Sequence, residues 1–249
     1  AVKLVNDNNV CVITGGPGTG KTTIIKSIID LYNNEELKIT LCAPTGRAAK
    51  RMTEATGEEA KTLHRVLEIG KFASEDEINP DLLVTPIDAN IVIVDEASMI
   101  DLFLMNYLMK ALYNGTKLVL VGDENQLPSV GPGNVLKDII ASEQVPVVTL
   151  NKIFRQAAKS KIILNSHKVN EGESFIGVKQ DNEEELLQDF FFIQENNKDN
   201  ITKQIVSLCT GRLEKYGNYD FIKNIQVITP TKKGKLGTKE LNQVIQSNV

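Results

Sequence analysis

The amino-acid sequence predicts an α/β protein in which a parallel β-sheet is covered by helices on both faces. Two observations lead to this fold class. Short apolar runs rich in β-branched residues alternate along the chain with longer segments of helical periodicity. The short runs are apolar at consecutive positions, as expected for strands buried on both faces. Such strands occur in parallel sheets with helices packed on either side.

The first 150 residues contain five predicted strands. Each is an apolar run that ends in small or polar residues, and helical segments follow most of them. The predicted strands are residues 10–14, 38–43, 91–94, 117–121 and 145–150. The predicted helices in this part of the chain are residues 21–31, 46–52 and 100–113. Periodicity disappears between residues 70 and 90, where we expect a short insertion or hairpin.

Beyond residue 150 the alternation of strands and helices loosens. The pattern there predicts helices over 153–170, 201–216 and 237–247, and strands over 190–193 and 225–229. We therefore expect one α/β domain over residues 1–148 and the beginning of a second domain over residues 149–249.

Composition limits the class of protein. With 41% hydrophobic and 24% charged residues, the chain has the composition of a folded soluble protein. No run approaches the ~18 apolar residues of a membrane-spanning helix, so we expect no membrane partner. The three cysteines lack metal-site spacing and favour a reducing compartment, the cytoplasm. The net charge of −4 argues against nucleic-acid binding. Basic residues nevertheless cluster in 45–51 and 231–239, so the net charge of the whole chain does not decide whether it binds nucleic acid.

Residues 15–22 (GGPGTGKT) match the P-loop pattern GxxxxGK[ST] between a predicted strand and a predicted helix. Its glycines let backbone N–H groups surround phosphate oxygens, and the following helix N-terminus favours their negative charge. Lys21 is expected to contact the β- and γ-phosphates, and the Thr22 hydroxyl to bind Mg²⁺. The residues predicted to bind ATP are Gly16, Pro17, Gly18, Thr19, Gly20, Lys21, Thr22 and Thr23.

Two acidic residues, Asp95 and Glu96, directly follow the apolar run 91–94. An aspartate at the end of a buried strand in a P-loop sheet binds Mg²⁺, so Asp95 joins Thr22 as a predicted metal ligand. Glu96 can act as general base on the attacking water. In an open parallel sheet, ligands bind beyond the carboxyl ends of the strands. Four polar segments are predicted to meet there: the P-loop, 44–45, 95–96 and 122–123.

Six segments carry a resemblance to a known family. In order they are GGPGTGKTT (15–23), APTGRAAKRM (43–52), TLHRVL (62–67), VDEASM (94–99), VGDENQLPSVGPGNVL (121–136) and IFRQ (153–156). Together they resemble the RecD-like superfamily 1 DNA helicases, the family of the exodeoxyribonuclease V alpha subunit. The GDxxQLPSVGxG pattern is the most discriminating, because a P-loop alone does not separate kinases from motors. The similarity covers most of residues 10–172 and returns at 226–246.

The resemblance implies a RecA-like P-loop NTPase sheet followed by a partial second RecA-like domain. It implies an ATP- and Mg²⁺-dependent helicase that moves 5′-to-3′ on single-stranded DNA in recombination or repair. Gln126 is then a γ-phosphate sensor, and Arg155 an arginine that reaches the γ-phosphate from the second domain. With Lys21, Asp95 and Glu96 they form the predicted catalytic set. The family also implies other subunits of a helicase–nuclease complex as partners.

Several residues fall in segments that line the single-strand track in similar helicases. Cations near helix N-termini could follow a phosphate backbone without contacting bases. The residues predicted to contact nucleic acid are Thr45, Arg47, Lys50, Arg51, His64 and Arg65.

Two alternatives stay open from the sequence alone. The chain could be the motor portion of a conjugative relaxase-helicase, which a metal site and a nucleophilic tyrosine upstream would favour. It could also be a P-loop NTPase or kinase without a nucleic-acid substrate, which phosphate transfer to a metabolite would favour. No segment after residue 229 matches the later helicase motifs, so we expect this chain alone to bind nucleotide but to hydrolyse ATP poorly.

Overall fold

The computed structural model describes residues 1–34, 37–69, 84–152, 159–175 and 187–248. They divide into two compact units, Ala1–Phe190 and Phe191–Val249. The boundary predicted from the sequence, 148/149, depends on assigning residues 149–249 to a second RecA-like domain. The two compact units do not test that assignment, so this boundary stays a prediction.

Unit 1 is built on a six-stranded sheet with the order β3-β2-β4-β5-β1-β6. All of its neighbouring strands run parallel, which confirms the predicted sheet. The strands are β1 (Val10–Gly15), β2 (Ile39–Ala43), β3 (Ala60–Thr62), β4 (Ile91–Val94), β5 (Lys117–Gly122) and β6 (Val147–Leu150). Five of them overlap the predicted strands. β3 is not among the predictions, because a segment of three residues has no measurable periodicity.

Helices follow the strands of unit 1, and one further helix precedes the first strand. They are α1 (Val2–Asp7), α2 (Lys21–Asn34), α3 (Gly46–Thr56), α4 (Leu63–Val66), α5 (Leu102–Ala111), α6 (Val135–Ala141) and α7 (Lys161–Asn170). α2, α3 and α5 confirm three predicted helices, and α7 confirms the later part of the helix predicted over 153–170. Residues 153–158 and 70–83 lie outside the described residues, so the start of that helix and most of the predicted insertion cannot be compared.

Helices cover both faces of the sheet. Side chains of β4 and β5 alternate between two buried apolar clusters, because successive strand residues point to opposite faces. One cluster joins Val92, Val94, Leu118 and Leu120 to Leu104 and Leu108 of α5. The other joins Ile91, Ile93, Val119 and Val121 to Ile25 and Ile28 of α2. Each such fully buried side chain stabilises the fold by roughly 1.5–3 kcal/mol, so the central strands form a rigid base.

Unit 2 is helical in its described part. Its elements are α8 (Lys198–Ser207), a π-helical turn (Leu208–Arg212), α9 (Leu213–Gly217), α10 (Phe221–Asn224) and α11 (Thr238–Gln246). The predicted helix over 201–216 is confirmed with a π-helical interruption, and the predicted helix over 237–247 is α11. No helix in the described part of the chain is long and apolar enough to cross a membrane.

The strands predicted over 190–193 and 225–229 are wrong. Both segments are described, and neither pairs with another strand. Their apolar residues are largely exposed, with Ile193 at 52% and Ile228 at 85%. A preference for strand depends on packing against neighbouring strands, so apolar composition alone does not produce one here.

A glycine pair tests the packing where β5 ends. A β-carbon added at Gly122 would lie 2.7 Å from Cδ2 of Leu136 and 3.2 Å from the backbone nitrogen of Ser98. Gly122→Ala is therefore expected to lower the free energy of unfolding by about 1–3 kcal/mol. Gly46→Ala is the control, since nothing lies within 4 Å of the corresponding β-carbon at the start of α3. Urea unfolding of both variants measures this, and equal effects would contradict the packing described.

Candidate active site

Four polar segments follow four adjacent strands at one edge of the sheet. The P-loop follows β1, Thr45 follows β2, Asp95 follows β4 and Asp123 follows β5. The strands lie side by side in the order β2-β4-β5-β1, and all are parallel. Because the carboxyl ends of parallel strands share one edge, the four segments lie together, as the sequence predicted. We call this edge the rim.

The P-loop is closed by its own side chains. The Lys21 ammonium donates to the carbonyls of Gly15 at 2.6 Å and Gly16 at 3.0 Å. The Thr19 hydroxyl also donates to the Gly16 carbonyl, at 2.8 Å. Gly18 and Gly20 have φ of 74° and 85°, which favours glycine at both positions. All residues predicted to bind ATP lie in this loop and the first turn of α2.

Asp95 lies on the same side of the molecule as Lys21. Its Oδ1 accepts a hydrogen bond from the backbone N–H of Glu96 at 2.9 Å. Burial raises the pKa of the Asp95 carboxyl, and the Glu96 N–H and the Lys21 ammonium partly offset that rise. Asp95 and Glu96 line a cavity of about 400 Å³ together with Thr22. The predicted metal ligands therefore face one space beside the P-loop lysine.

Four charged side chains influence the carboxyl of Glu96. Burial raises the pKa of its carboxyl, and the charges of Asp95 and Asp123 raise it further, whereas Lys21 and Arg51 lower it. Its backbone is left-handed, with φ of 53°, which costs about 1–2 kcal/mol for a residue other than glycine. Strained backbone and a raised carboxyl pKa are typical of functional sites.

Asp123 is a third carboxylate at the rim, and the sequence analysis did not single it out as a site residue. It is 3% exposed, and its Oδ1 accepts a hydrogen bond from the backbone N–H of Asn125 at 3.0 Å. The available signal was an acid directly after a buried strand, the pattern that identified Asp95. Gln126, the residue after Asn125, is exposed and lines a second cavity, of about 460 Å³, with Asp123 and the P-loop residue Pro17. Arg155 lies outside the described residues.

The predicted nucleic-acid residues begin two helices at adjacent strand ends. β2 and β3 are neighbours, and α3 and α4 start directly beyond them. Thr45 caps α3 by accepting a hydrogen bond from the backbone N–H of Ala48, and Thr62 caps α4 in the same way. The exposed basic or imidazole side chains near these helix starts are Arg47, Lys50, His64 and Arg65.

Arg51 differs from these residues because it lies by the carboxylates. It lines the same cavity as Thr22, Asp95 and Glu96, and its charge lowers the pKa of Glu96. Its predicted contact with nucleic acid stays a prediction. α3 therefore has charged residues in two places. Arg51 lines the cavity beside the P-loop, and Arg47 and Lys50 lie near the ends of β2 and β3.

The residues present fit a magnesium ion that is shared with phosphate. Among the described residues, no group of three or more His, Cys, Asp and Glu side chains could hold a metal ion. Mg²⁺ is commonly bound by one or two carboxylates together with substrate phosphates and waters. Thr22 and Asp95, which line one cavity beside the P-loop, supply the oxygen ligands that such a site needs.

Comparison with known proteins agrees with this geometry. A family model described as AAA domain matches residues 1–189. The ATP-dependent RecD2 DNA helicase of Deinococcus radiodurans is 36% identical over 241 residues, 96% of this chain and 30% of that protein. The RecBCD enzyme subunit RecD of Buchnera aphidicola subsp. Schizaphis graminum is 37% identical over 192 residues, 68% of this chain and 31% of that protein.

The resemblance to RecD-like helicases is thereby confirmed, and the chain spans about a third of the length of these relatives. A solved structure of Pif1 helicases at forked double-stranded DNA is 23% identical, with a TM-score of 0.48 over 68% of this chain and 46% of that one.

The raised pKa of Glu96 predicts a stability gain on neutralisation. The folded state binds a proton at Glu96 more tightly than the unfolded chain does, whose glutamate has the ordinary pKa of 4.5. Stability is therefore lost as the pH rises from about 4.5 through the folded pKa. Glu96→Gln should raise the free energy of unfolding at pH 7–8, and this gain should disappear below pH 4.

Urea unfolding between pH 4 and pH 8 measures the effect. Glu58→Gln, which removes an exposed carboxylate of unit 1, controls for the change in net charge. A Glu96→Gln variant with no gain at pH 8 would contradict the electrostatics described for the rim.

Proposed function

The chain belongs to the AAA domain family, and from this premise we propose that it is the ATPase motor portion of a RecD-type DNA helicase. The observation that carries the proposal is the rim. There the P-loop lysine, bonded to two loop carbonyls, lies close enough to Asp95 and Glu96 to lower the pKa of both. This is the arrangement that binding of a magnesium nucleotide requires.

The P-loop and the first turn of α2 would hold the triphosphate. Backbone N–H groups and the α2 N-terminus favour the phosphate charge, and Lys21 contributes a cation that is already positioned by Gly15 and Gly16. Mg²⁺, bound by Thr22 and Asp95, would neutralise charge on the phosphates. Burial disfavours the ionised form of Asp95, and a dication beside it would favour that form.

Glu96 is the proposed general base. Its left-handed backbone follows Asp95 directly, and both carboxyls line the same cavity. Because its pKa is raised toward neutral pH, the carboxylate accepts a proton from water more readily than an exposed glutamate does. The charges of Lys21 and Arg51 oppose that rise and favour the ionised form of Glu96.

Catalytic roles for two further residues are proposed from their positions in the ordered sequence motifs. Gln126, which shares a cavity with Pro17 of the P-loop, would sense the γ-phosphate through an amide that both donates and accepts. Arg155 would reach the γ-phosphate when the motor closes on nucleotide, so that catalysis depends on closure. We propose in addition that residues 149–249 belong to a second, partial RecA-like domain.

Single-stranded DNA is the proposed track. The exposed side chains at the starts of α3 and α4 could follow a phosphate backbone without contacting bases. Movement from 5′ to 3′ is the direction that the RecD-like resemblance implies. Since one relative is named a subunit of the RecBCD enzyme, association with other helicase–nuclease subunits belongs to this proposal. The three buried free cysteines support the cytoplasm as the compartment.

Lys21→Ala tests the nucleotide site. Without the ammonium, the Gly15 and Gly16 carbonyls lose a donor and the phosphates lose a cation, so we expect ATP turnover to fall roughly 100-fold or more. Lys26→Ala, an exposed lysine of the same helix, is the matched control. Binding and hydrolysis of Mg-ATP are measured with and without single-stranded DNA, and circular dichroism verifies folding. Undiminished turnover in a folded Lys21→Ala variant would refute the proposal.

The DNA track is tested through its salt dependence. Removing one phosphate contact from single-stranded DNA should lower the slope of log K against log salt by about 0.7. Arg47→Ala and Arg65→Ala are each expected to do so and to weaken binding for all sequences alike. Lys3→Ala is the control, since α1 contacts Lys117 at the opposite, amino end of β5. Unchanged slopes in both arginine variants would place the track elsewhere.

A further inference from the structure

A histidine of α7 lies directly against the P-loop. If Gly16 carried a β-carbon, that atom would lie 2.6 Å from Cε1 and 3.2 Å from Nε2 of His167. The imidazole therefore occupies the space where any other residue at position 16 would place its side chain. Because Gly16 has no side chain, the ring of His167 can pack against the backbone of the loop.

The same imidazole holds an unused hydrogen-bonding atom. His167 Nε2 is buried, and it has no hydrogen-bond partner among the residues that the structure describes. A buried polar atom without a partner costs about 1–3 kcal/mol, and most such atoms in native proteins are paired. The atom faces the residue of the P-loop that already receives the most side-chain bonds.

The Gly16 carbonyl accepts from both Thr19 and Lys21, at 2.8 Å and 3.0 Å. The bond from Lys21 is the one that a bound nucleotide would disturb. A phosphate oxygen competes for the ammonium, because charge-assisted bonds to phosphate are stronger than bonds to a neutral carbonyl. The carbonyl would then keep the Thr19 hydroxyl as a donor, and its second lone pair would be open to another donor.

The position of α7 is fixed from its other end. Asp189 accepts from the Ser160 hydroxyl at 2.6 Å and from the Lys161 backbone N–H at 2.9 Å, where α7 begins. Ser160 also caps the helix by accepting from the backbone N–H of Ile163. These bonds hold the first turn of α7, and His167 packs on Gly16 near the other end of the helix.

We propose that His167 is a positioning residue for the triphosphate. Its imidazole packs on Gly16, and Nε2 donates to the Gly16 carbonyl when nucleotide draws Lys21 toward phosphate. The inference rests on the proposed nucleotide site and adds a donor on the α7 side of the loop.

Three substitutions at position 167 separate hydrogen bonding from packing. Glutamine keeps an N–H donor near the position of Nε2, leucine keeps bulk without a donor, and alanine removes both. Affinity for a fluorescent ATP analogue with Mg²⁺ is measured by titration, and thermal unfolding is measured without nucleotide. We expect His167→Gln to bind like the parent chain, and His167→Leu and His167→Ala to bind about five- to tenfold more weakly.

Lys168→Ala is the matched control on α7. It breaks the Lys168–Glu173 ion pair, 2.9 Å long and largely exposed, without touching the P-loop, and it should bind as the parent does. If the parent chain itself fails to bind Mg-ATP, the proposed function fails. If the parent binds and His167→Leu binds equally well, the hydrogen bond is refuted while the proposed function stands.

A double-mutant cycle tests the contact itself. Gly16→Ala should weaken nucleotide binding because the new methyl group meets the imidazole at 2.6 Å. In the His167→Ala background the obstruction is gone, so adding Gly16→Ala should cost little more. Equal losses from Gly16→Ala in both backgrounds would overturn the inference.

Discussion

The ammonium group of Lys21 is the charge on which the rim depends. It holds the Gly15 and Gly16 carbonyls, and it lowers the pKa of Asp95 and Glu96 while burial raises both. Lys21 thereby favours the ionised form of both acids, and at Asp95 it adds to the larger influence of the Glu96 backbone N–H. One group therefore closes the phosphate loop and maintains the acids that face it. The parallel sheet makes this possible, since it brings the ends of β1 and β4 to one edge.

The rim is built from locally unfavourable features. Glu96 combines a left-handed backbone with a desolvated carboxyl beside two other acids, Asp95 and Asp123. Each feature opposes folding, and the residues persist because β4 and β5 pack between two apolar layers. The buried middles of the strands therefore stabilise the fold, whereas the residues at their carboxyl ends lower that stability.

Sequence reasoning succeeded where the signal is local. The P-loop and the acids after β4 were identified because a buried strand, a tight turn and a helix follow one another in a few residues. It failed where structure depends on distant partners. Segments 190–193 and 225–229 have strand-like composition but no neighbouring strand, and β3 is too short to show periodicity. His167 looked like an ordinary residue of a polar helix, because nothing near it in sequence indicates that it packs on Gly16, 151 positions earlier.

Two parts of the chain that are distant in sequence, the end of β4 and α7, contact the P-loop from different sides. Asp95 and Glu96 face Lys21 from the end of β4, and His167 packs on Gly16 from α7. Gly16 lies between these contacts, since its carbonyl bonds Lys21 and the imidazole occupies the position that a β-carbon of Gly16 would take. A change in the bonding of Lys21 to this carbonyl would therefore take place beside the imidazole of α7. The P-loop therefore contacts both the end of the sheet and α7, the helix that follows Arg155 in the chain.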